Sequence, residues 1–239
     1  ILSCQPIIYK MLGNIVLSGV SWLLFYFVLK KPFFQTWFSP FEQRIREIGI
    51  GMALVIVAFA TPLFIKTIAY EIEWGFSDST SFKEIAQSFY FYFNSVVYEE
   101  LIFRGALLAL LIHYTSPKTG VIVSAISFGV YHWFSYGMFG SGIVPMVYVF
   151  VLTGGMGLVY AYMYSKTNSV LLPIVVHLGW NLQSALFLDY QPFGQLLFSA
   201  SVNRELSDLA DFGLQAGGDI LSMLLLYFGF RFYFRRTEK

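Results

Sequence analysis

The chain has 239 residues and a formal net charge of +1; it is 57% hydrophobic and 20% aromatic but only 12% charged. Soluble globular domains carry about 25% charged residues, so this balance excludes an ordinary soluble domain and points to a polytopic membrane protein. The near-neutral charge gives no basis for a nucleic-acid partner, and the single cysteine, Cys4, excludes an intrachain disulfide or a cysteine metal cluster within this sequence.

In chain order, the apolar runs predict seven membrane spans in a single all-α membrane domain covering residues 1–239. The first runs from about Met11 to Leu29 and the second from about Ile48 to Ala69. The segment between them, Lys30 to Arg46, mixes aromatic and basic residues, as a short helix lying in the interface would. No cleavable signal peptide is expected. A polar, acidic loop from Glu71 follows and includes Asp78. The third predicted span, about Phe82 to Ile112, exceeds the roughly 20 residues needed to cross, so it must tilt, break or protrude. The fourth is about Thr119 to Tyr136, the fifth about Ile143 to Tyr164 and the sixth about Ser169 to Phe187. A polar stretch, Asp189 to Asp211, precedes the last, about Phe212 to Phe230. Gly154, Gly155 and Gly157 predict close helix packing in the fifth span.

Charge asymmetry orients this bundle. With the loop after the first span in the cytoplasm, the cytoplasmic side holds Lys30, Lys31, Arg44, Arg46, Lys118, Lys166, Arg231, Arg235, Arg236 and Lys239, and the other side only Lys10, Lys66, Lys83 and Arg204. That excess predicts the N-terminus outside and the C-terminus in the cytoplasm.

The polar residues inside the spans locate the chemistry, because a charge at bilayer depth is costly and marks a functional candidate. Glu99, Glu100 and Arg104 lie within the third span. Glu100 and Arg104 are four apart, share a helix face and can pair; Glu99 is turned about 100° away and is left for another role. One structural network of all three is the other reading. His132 lies in the fourth span, and His177 and Asn181, four apart on one face, lie in the sixth; interhelical hydrogen bonding is the ordinary alternative for each. His113, at a span end, reads as interfacial. A helix bundle can gather such residues in its interior. There a carboxylate and a histidine can polarise water, and a second histidine and an amide can donate to an oxyanion.

The ordered set Glu99-Glu100-x-x-x-Arg104, Phe128-x-x-x-His132 and His177-x-x-x-Asn181 resembles the three motifs of the CPBP family, which takes its name from CAAX proteases and bacteriocin-processing enzymes and includes the type II CAAX prenyl endopeptidases. The resemblance covers about residues 85–190. It implies an all-helical intramembrane endopeptidase with its active site in the bundle interior. Glu99 would be the general base and His132 would share its water; His177 and Asn181 would stabilise the oxyanion; Glu100 and Arg104 would support the site. It implies no obligatory cofactor, although Glu99, His132 and His177 are also a possible zinc set. The implied partners are the lipid bilayer and a membrane-embedded or lipidated peptide or protein substrate, with a bacterial cell membrane as the expected location. A non-catalytic membrane scaffold or bacteriocin-immunity-type protein, and a transporter using a Glu/His proton relay, are the alternatives.

Overall fold

The computed structural model describes residues 7–77, 80–189 and 192–237, with residues 7–10 as backbone only. Cys4, Asp78 and Lys239 lie outside the described residues. The elements are α1 (Ile7–Leu24, continued by a π-helical segment, Phe25–Leu29), α2 (Phe33–Phe38), α3 (Phe41–Ala69), β1 (Ile72–Phe76), α4 (Phe82–Arg104) and α5 (Ala106–Tyr114). They continue with α6 (Pro117–Ser135), α7 (Ile143–Thr167), α8 (Leu171–Phe187), β2 (Phe198–Val202) and α9 (Asp208–Thr237).

The all-α reading holds, but the count of seven spans does not. Four helices are long and apolar enough to cross a membrane, namely Met11–Leu29, Phe41–Ala69, Ile143–Thr167 and Asp208–Thr237; Leu171–Phe187 is a shorter apolar helix. About five spans therefore replace seven. The physical reason lies in α4 and α6. The first carries Lys83, Glu84, Glu99, Glu100 and Arg104 and ends at Gly105; the second mixes Lys118, Ser124, Ser127, Gly129 and His132 into its length. The overlong third span is thus two helices. At Gly105 (φ −74°, ψ −133°) a Cβ would fall 2.3 Å from the Leu101 carbonyl oxygen and 3.1 Å from Ser21 Oγ, so the break needs a residue without a side chain.

By internal packing the chain forms two compact units, one of residues 1–51 and 94–175 and the other of residues 52–93 and 176–239. The first is built on a core of Phe25, Phe33, Trp37, Leu101, Leu108 and Tyr164. Local signals set its helix ends. Ser116 Oγ accepts from the Thr119 N–H (3.1 Å) with Pro117 opening α6, an N-cap with proline at the first helical position. Asn168, at φ 53°, closes α7, a left-handed C-terminal residue of the kind asparagine tolerates. The segment expected to be a short interfacial helix contains α2, with Phe33 and Trp37 buried and Phe34 exposed. Arg44 ties this end together: its guanidinium meets Glu47 at 2.7 Å and donates to the Ser39 and Thr167 carbonyls at 3.0 and 2.9 Å. Close approach of α6 and α7 runs through small residues, since a Cβ on Gly129 would meet Phe150 at 2.7 Å and one on Gly154 would reach the Ala125 carbonyl at 3.4 Å.

The second unit pairs α3 with α9 along a polar seam. Ser222 Oγ donates to the Ala58 carbonyl (2.9 Å), a Cβ on Gly218 would meet Pro62 at 3.1 Å, Lys66 Nζ donates to Gln215, and Tyr70 OH donates to Asp211. α9 starts at Asp208, ahead of the predicted Phe212, and Asp219 falls inside it. One element was absent from the sequence reading: an antiparallel two-stranded ribbon with Ile72 opposite Val202 and Phe76 opposite Phe198. Phe187, ending α8, stacks on Phe198 at 4.5 Å and meets Trp74 edge-on at 5.5 Å.

Replacing Gly105 by alanine should destabilise the fold by about 1–3 kcal/mol, the usual cost of a forced steric shift. Thermal unfolding in detergent would show it as a lowered Tm relative to Gly213→Ala, since a Cβ at Gly213 meets nothing within 4 Å.

Candidate active site

The site begins with the helix that carries most of it. Ser81 and Glu84 open α4 with a reciprocal cap: Ser81 N–H donates to Glu84 Oε2 at 2.8 Å and Glu84 N–H donates to Ser81 Oγ at 3.3 Å, the pattern that fixes a helix start. The helix then runs unbroken to Arg104, so Glu99, Glu100 and Arg104 share its regular geometry.

Glu100 and Arg104 pair as their spacing predicts. Arg104 Nη1 donates to Glu100 Oε1 at 3.1 Å, and both side chains are completely buried. Nη2 donates to the Gly157 carbonyl on α7 at 3.0 Å. The guanidinium also lies 4.2 Å from the Phe128 ring centroid and 5.3 Å from that of Tyr160, within the range in which an aromatic face attracts a cation. Gly157 is small for a direct reason: a Cβ there would sit 3.0 Å from Phe128 and 3.1 Å from Arg104 Nη2. One buried charge pair thus holds α4, α6 and α7 in register.

That register presents Glu99 to His132. His132 is buried, and its Nδ1 lies 2.8 Å from the Phe128 carbonyl. A carbonyl can only accept, so Nδ1 carries the proton and, in the neutral ring, Nε2 keeps its lone pair. Nε2 lies 4.0 Å from Glu99 Oε2, too far for a direct hydrogen bond and suited to a bridging water. Ser124 Oγ donates to the Phe103 carbonyl at 3.1 Å, and Phe103 meets Phe128 edge-on at 5.1 Å, so α6 is locked to α4 beside this pair.

The sequence-predicted residues therefore fall into three groups. Glu99 faces His132, Glu100 pairs with Arg104, and His177 and Asn181 stand one turn apart on α8. His177 is buried and Asn181 half-buried, and both belong to the second compact unit. Among the described residues, no three His, Cys, Asp or Glu side chains are gathered as a metal site. The sequence reading missed the role of the Gly157 carbonyl and of Gly105. The length of the predicted third span signalled the second; nothing in residue type signals the first, since every residue has a carbonyl.

A part-buried carboxylate beside a buried imidazole, in a helical protein with several helices long and apolar enough to cross a membrane, defines the class as a polytopic membrane protein with a polar pair in its interior. The comparison with known families is more specific: residues 81–183 match the model described as "Type II CAAX prenyl endopeptidase Rce1-like". The matched segment, less than half of the chain, contains every motif residue named above. No curated protein and no solved structure matches the chain.

The charge pair yields a sharp expectation. Glu100→Leu alone should cost about 3–5 kcal/mol, because it leaves the Arg104 charge buried without its counter-ion. The double variant Glu100→Leu/Arg104→Met should recover most of that loss. Thermal denaturation of the three proteins in one detergent checks the order.

Proposed function

We propose that the chain is an intramembrane endopeptidase in which Glu99 and His132 activate the hydrolytic water. The observation that carries this reading is the 4.0 Å separation of Glu99 Oε2 from His132 Nε2, with Nδ1 engaged by the Phe128 carbonyl. Water held by these two groups gives a proton to Glu99 as its oxygen bonds to the scissile carbonyl carbon. The oxyanion that forms accepts hydrogen bonds from His177 and Asn181, roles assigned by the family motif and by their shared face on α8. The C–N bond then breaks while Glu99 passes its proton to the departing nitrogen, leaving a carboxylic acid and an amine. Glu100 and Arg104 take no part in proton transfer and hold Glu99 in place.

The substrate class follows from the setting. A site on membrane-embedded helices favours a hydrophobic or lipidated peptide that arrives along the bilayer. The excess of basic residues on one side supports an orientation with the C-terminus in the cytoplasm, and we place the protein in a bacterial cell membrane.

These steps use no metal. Activation of the water by zinc is the alternative that chelation tests. Purified protein is mixed with a library of hydrophobic and lipidated peptides and the products are read by mass spectrometry. Glu99→Ala and His132→Ala should abolish cleavage. Asn181→Ala should retain a residue of activity, because loss of one oxyanion donor costs about 10²–10³ in rate. Turnover should survive a strong chelator; loss on chelation with recovery on zinc addition would assign zinc to the site. Equal products from wild type and Glu99→Ala would reject the mechanism and favour a non-catalytic scaffold.

A further inference from the structure

Among the described residues, the rings of Phe128, Tyr131 and Tyr136 adjoin that of His132, as does the Glu99 carboxylate. Phe128 lies 4.5 Å away, Tyr131 5.3 Å and Tyr136 5.0 Å, the last two edge-on. Their exposures differ sharply: Phe128 is buried and Tyr131 half-buried, whereas Tyr136 is 59% exposed. His132 itself is only 5% exposed. Among these three rings, Tyr136 is the one that a molecule approaching from outside the bundle meets first.

The backbone holds Tyr136 over the histidine. It is the C-terminal cap of α6, four residues beyond His132 and therefore on the same face, and its N–H donates to the His132 carbonyl at 3.0 Å. The chain beyond it is of another kind. Gly137, Gly140 and Gly142 all have positive φ (63°, 96° and 94°), and a Cβ on any of them would meet nothing within 4 Å. These three conformations suit glycine for backbone reasons alone. Both ends of the segment are anchored: Met138 N–H donates to the Trp133 carbonyl at 2.8 Å, and Trp133 Nε1 donates to the Met146 carbonyl at 2.7 Å. Tyr136 thus combines a fixed position over His132 with an outward aromatic face.

We infer that Tyr136 is a specificity-determining residue of the site, forming the wall against which an apolar substrate side chain beside the scissile bond packs. The inference rests on the peptidase reading. The contact is made by the ring, which is the part that adjoins His132, and the hydroxyl is dispensable. A flat or unbranched apolar side chain fits best, since aromatic faces gain most from such contacts.

The test separates this inference from the reading beneath it. The same peptide library is titrated by fluorescence against the Glu99→Gln protein, which cannot turn over, with Tyr136 intact or replaced. Tyr136→Phe should bind within about threefold of its parent, and Tyr136→Ala should bind apolar-flanked peptides roughly 10- to 100-fold more weakly, the scale of one lost aromatic packing surface. Peptides with glycine beside the scissile bond should lose little. In proteins with Glu99 restored, Tyr136→Ala should shift the residues found at the cut while Tyr136→Phe keeps them. Equal binding by Tyr136→Ala, or no binding by any form, would overturn the inference. Binding that depends on Tyr136 without cleavage by the wild type would retain the contact and sink the peptidase reading. Because Tyr136 is largely exposed, the alanine variant should fold, and its Tm is measured alongside.

Discussion

The first compact unit depends on one buried charge pair. Taking a carboxylate and a guanidinium out of water costs several kcal/mol per ion before their attraction repays it, and Glu100 and Arg104 are both completely buried. The arrangement is held by geometry that meets the two Nη groups of the guanidinium from several directions at once. The carboxylate comes from α4 itself, a backbone carbonyl from α7, and aromatic faces from Phe128 and Tyr160. Each of these partners lies on an element that the others also touch. A shift of α7 against α4 would strip a hydrogen bond from a buried cation, so the charge fixes register more sharply than apolar packing alone does. Gly157 belongs to the same constraint, because its missing side chain lets the carbonyl and the guanidinium meet.

Register then decides depth. The turn joining α5 to α6 is short, and Ser116 caps the second of these helices. Glu99 stands 17 residues before Ser116 and His132 stands 16 residues after it. The two arms are nearly equal in residue count, although the first is not one continuous helix. Residues 33 positions apart in sequence come face to face where α6 meets α4, with Ser124 Oγ donating to the Phe103 carbonyl beside them. Gly105 interrupts the first arm immediately after Arg104, where the chain passes from the charged α4 to the apolar α5.

Much of this was legible in the sequence, and the rest was hidden for identifiable reasons. The Glu100–Arg104 pair follows from helical spacing, and the excess length of the third predicted span left tilt, break or protrusion open, of which the structure shows a break at Gly105. Gly154 and Gly157 do pack closely, as small residues in membrane helices predict. The span count was overread because apolar runs alone ignore the charges of α4 and the small polar residues of α6. The ribbon was invisible because its strands lie more than 120 residues apart and each alternates over only five residues, Ile72–Phe76 and Phe198–Val202. Backbone groups were equally silent: neither the Gly157 carbonyl nor the Phe128 carbonyl that sets the His132 tautomer is marked by residue type.

That tautomer matters most to the proposed chemistry, in which Glu99 is ionised and His132 neutral. An ionised carboxylate only accepts hydrogen bonds, and a neutral imidazole whose Nδ1–H is engaged presents only an acceptor at Nε2. Two acceptors 4.0 Å apart repel unless a donor stands between them. Water has two O–H groups and can serve both. With legs of about 2.8 Å to each acceptor, its oxygen would see them at roughly 90°, close to the angle between its own bonds. Both lone pairs then point away from Glu99 and His132, which is the orientation that attack on a carbonyl carbon requires. Had Nδ1 been the acceptor and Nε2 the donor, His132 would have pointed its N–H at Glu99 and the water would have had one holder instead of two. On the proposed mechanism, the Phe128 carbonyl, a backbone atom one helical turn before His132, therefore decides whether Nε2 meets Glu99 as an acceptor or as a donor.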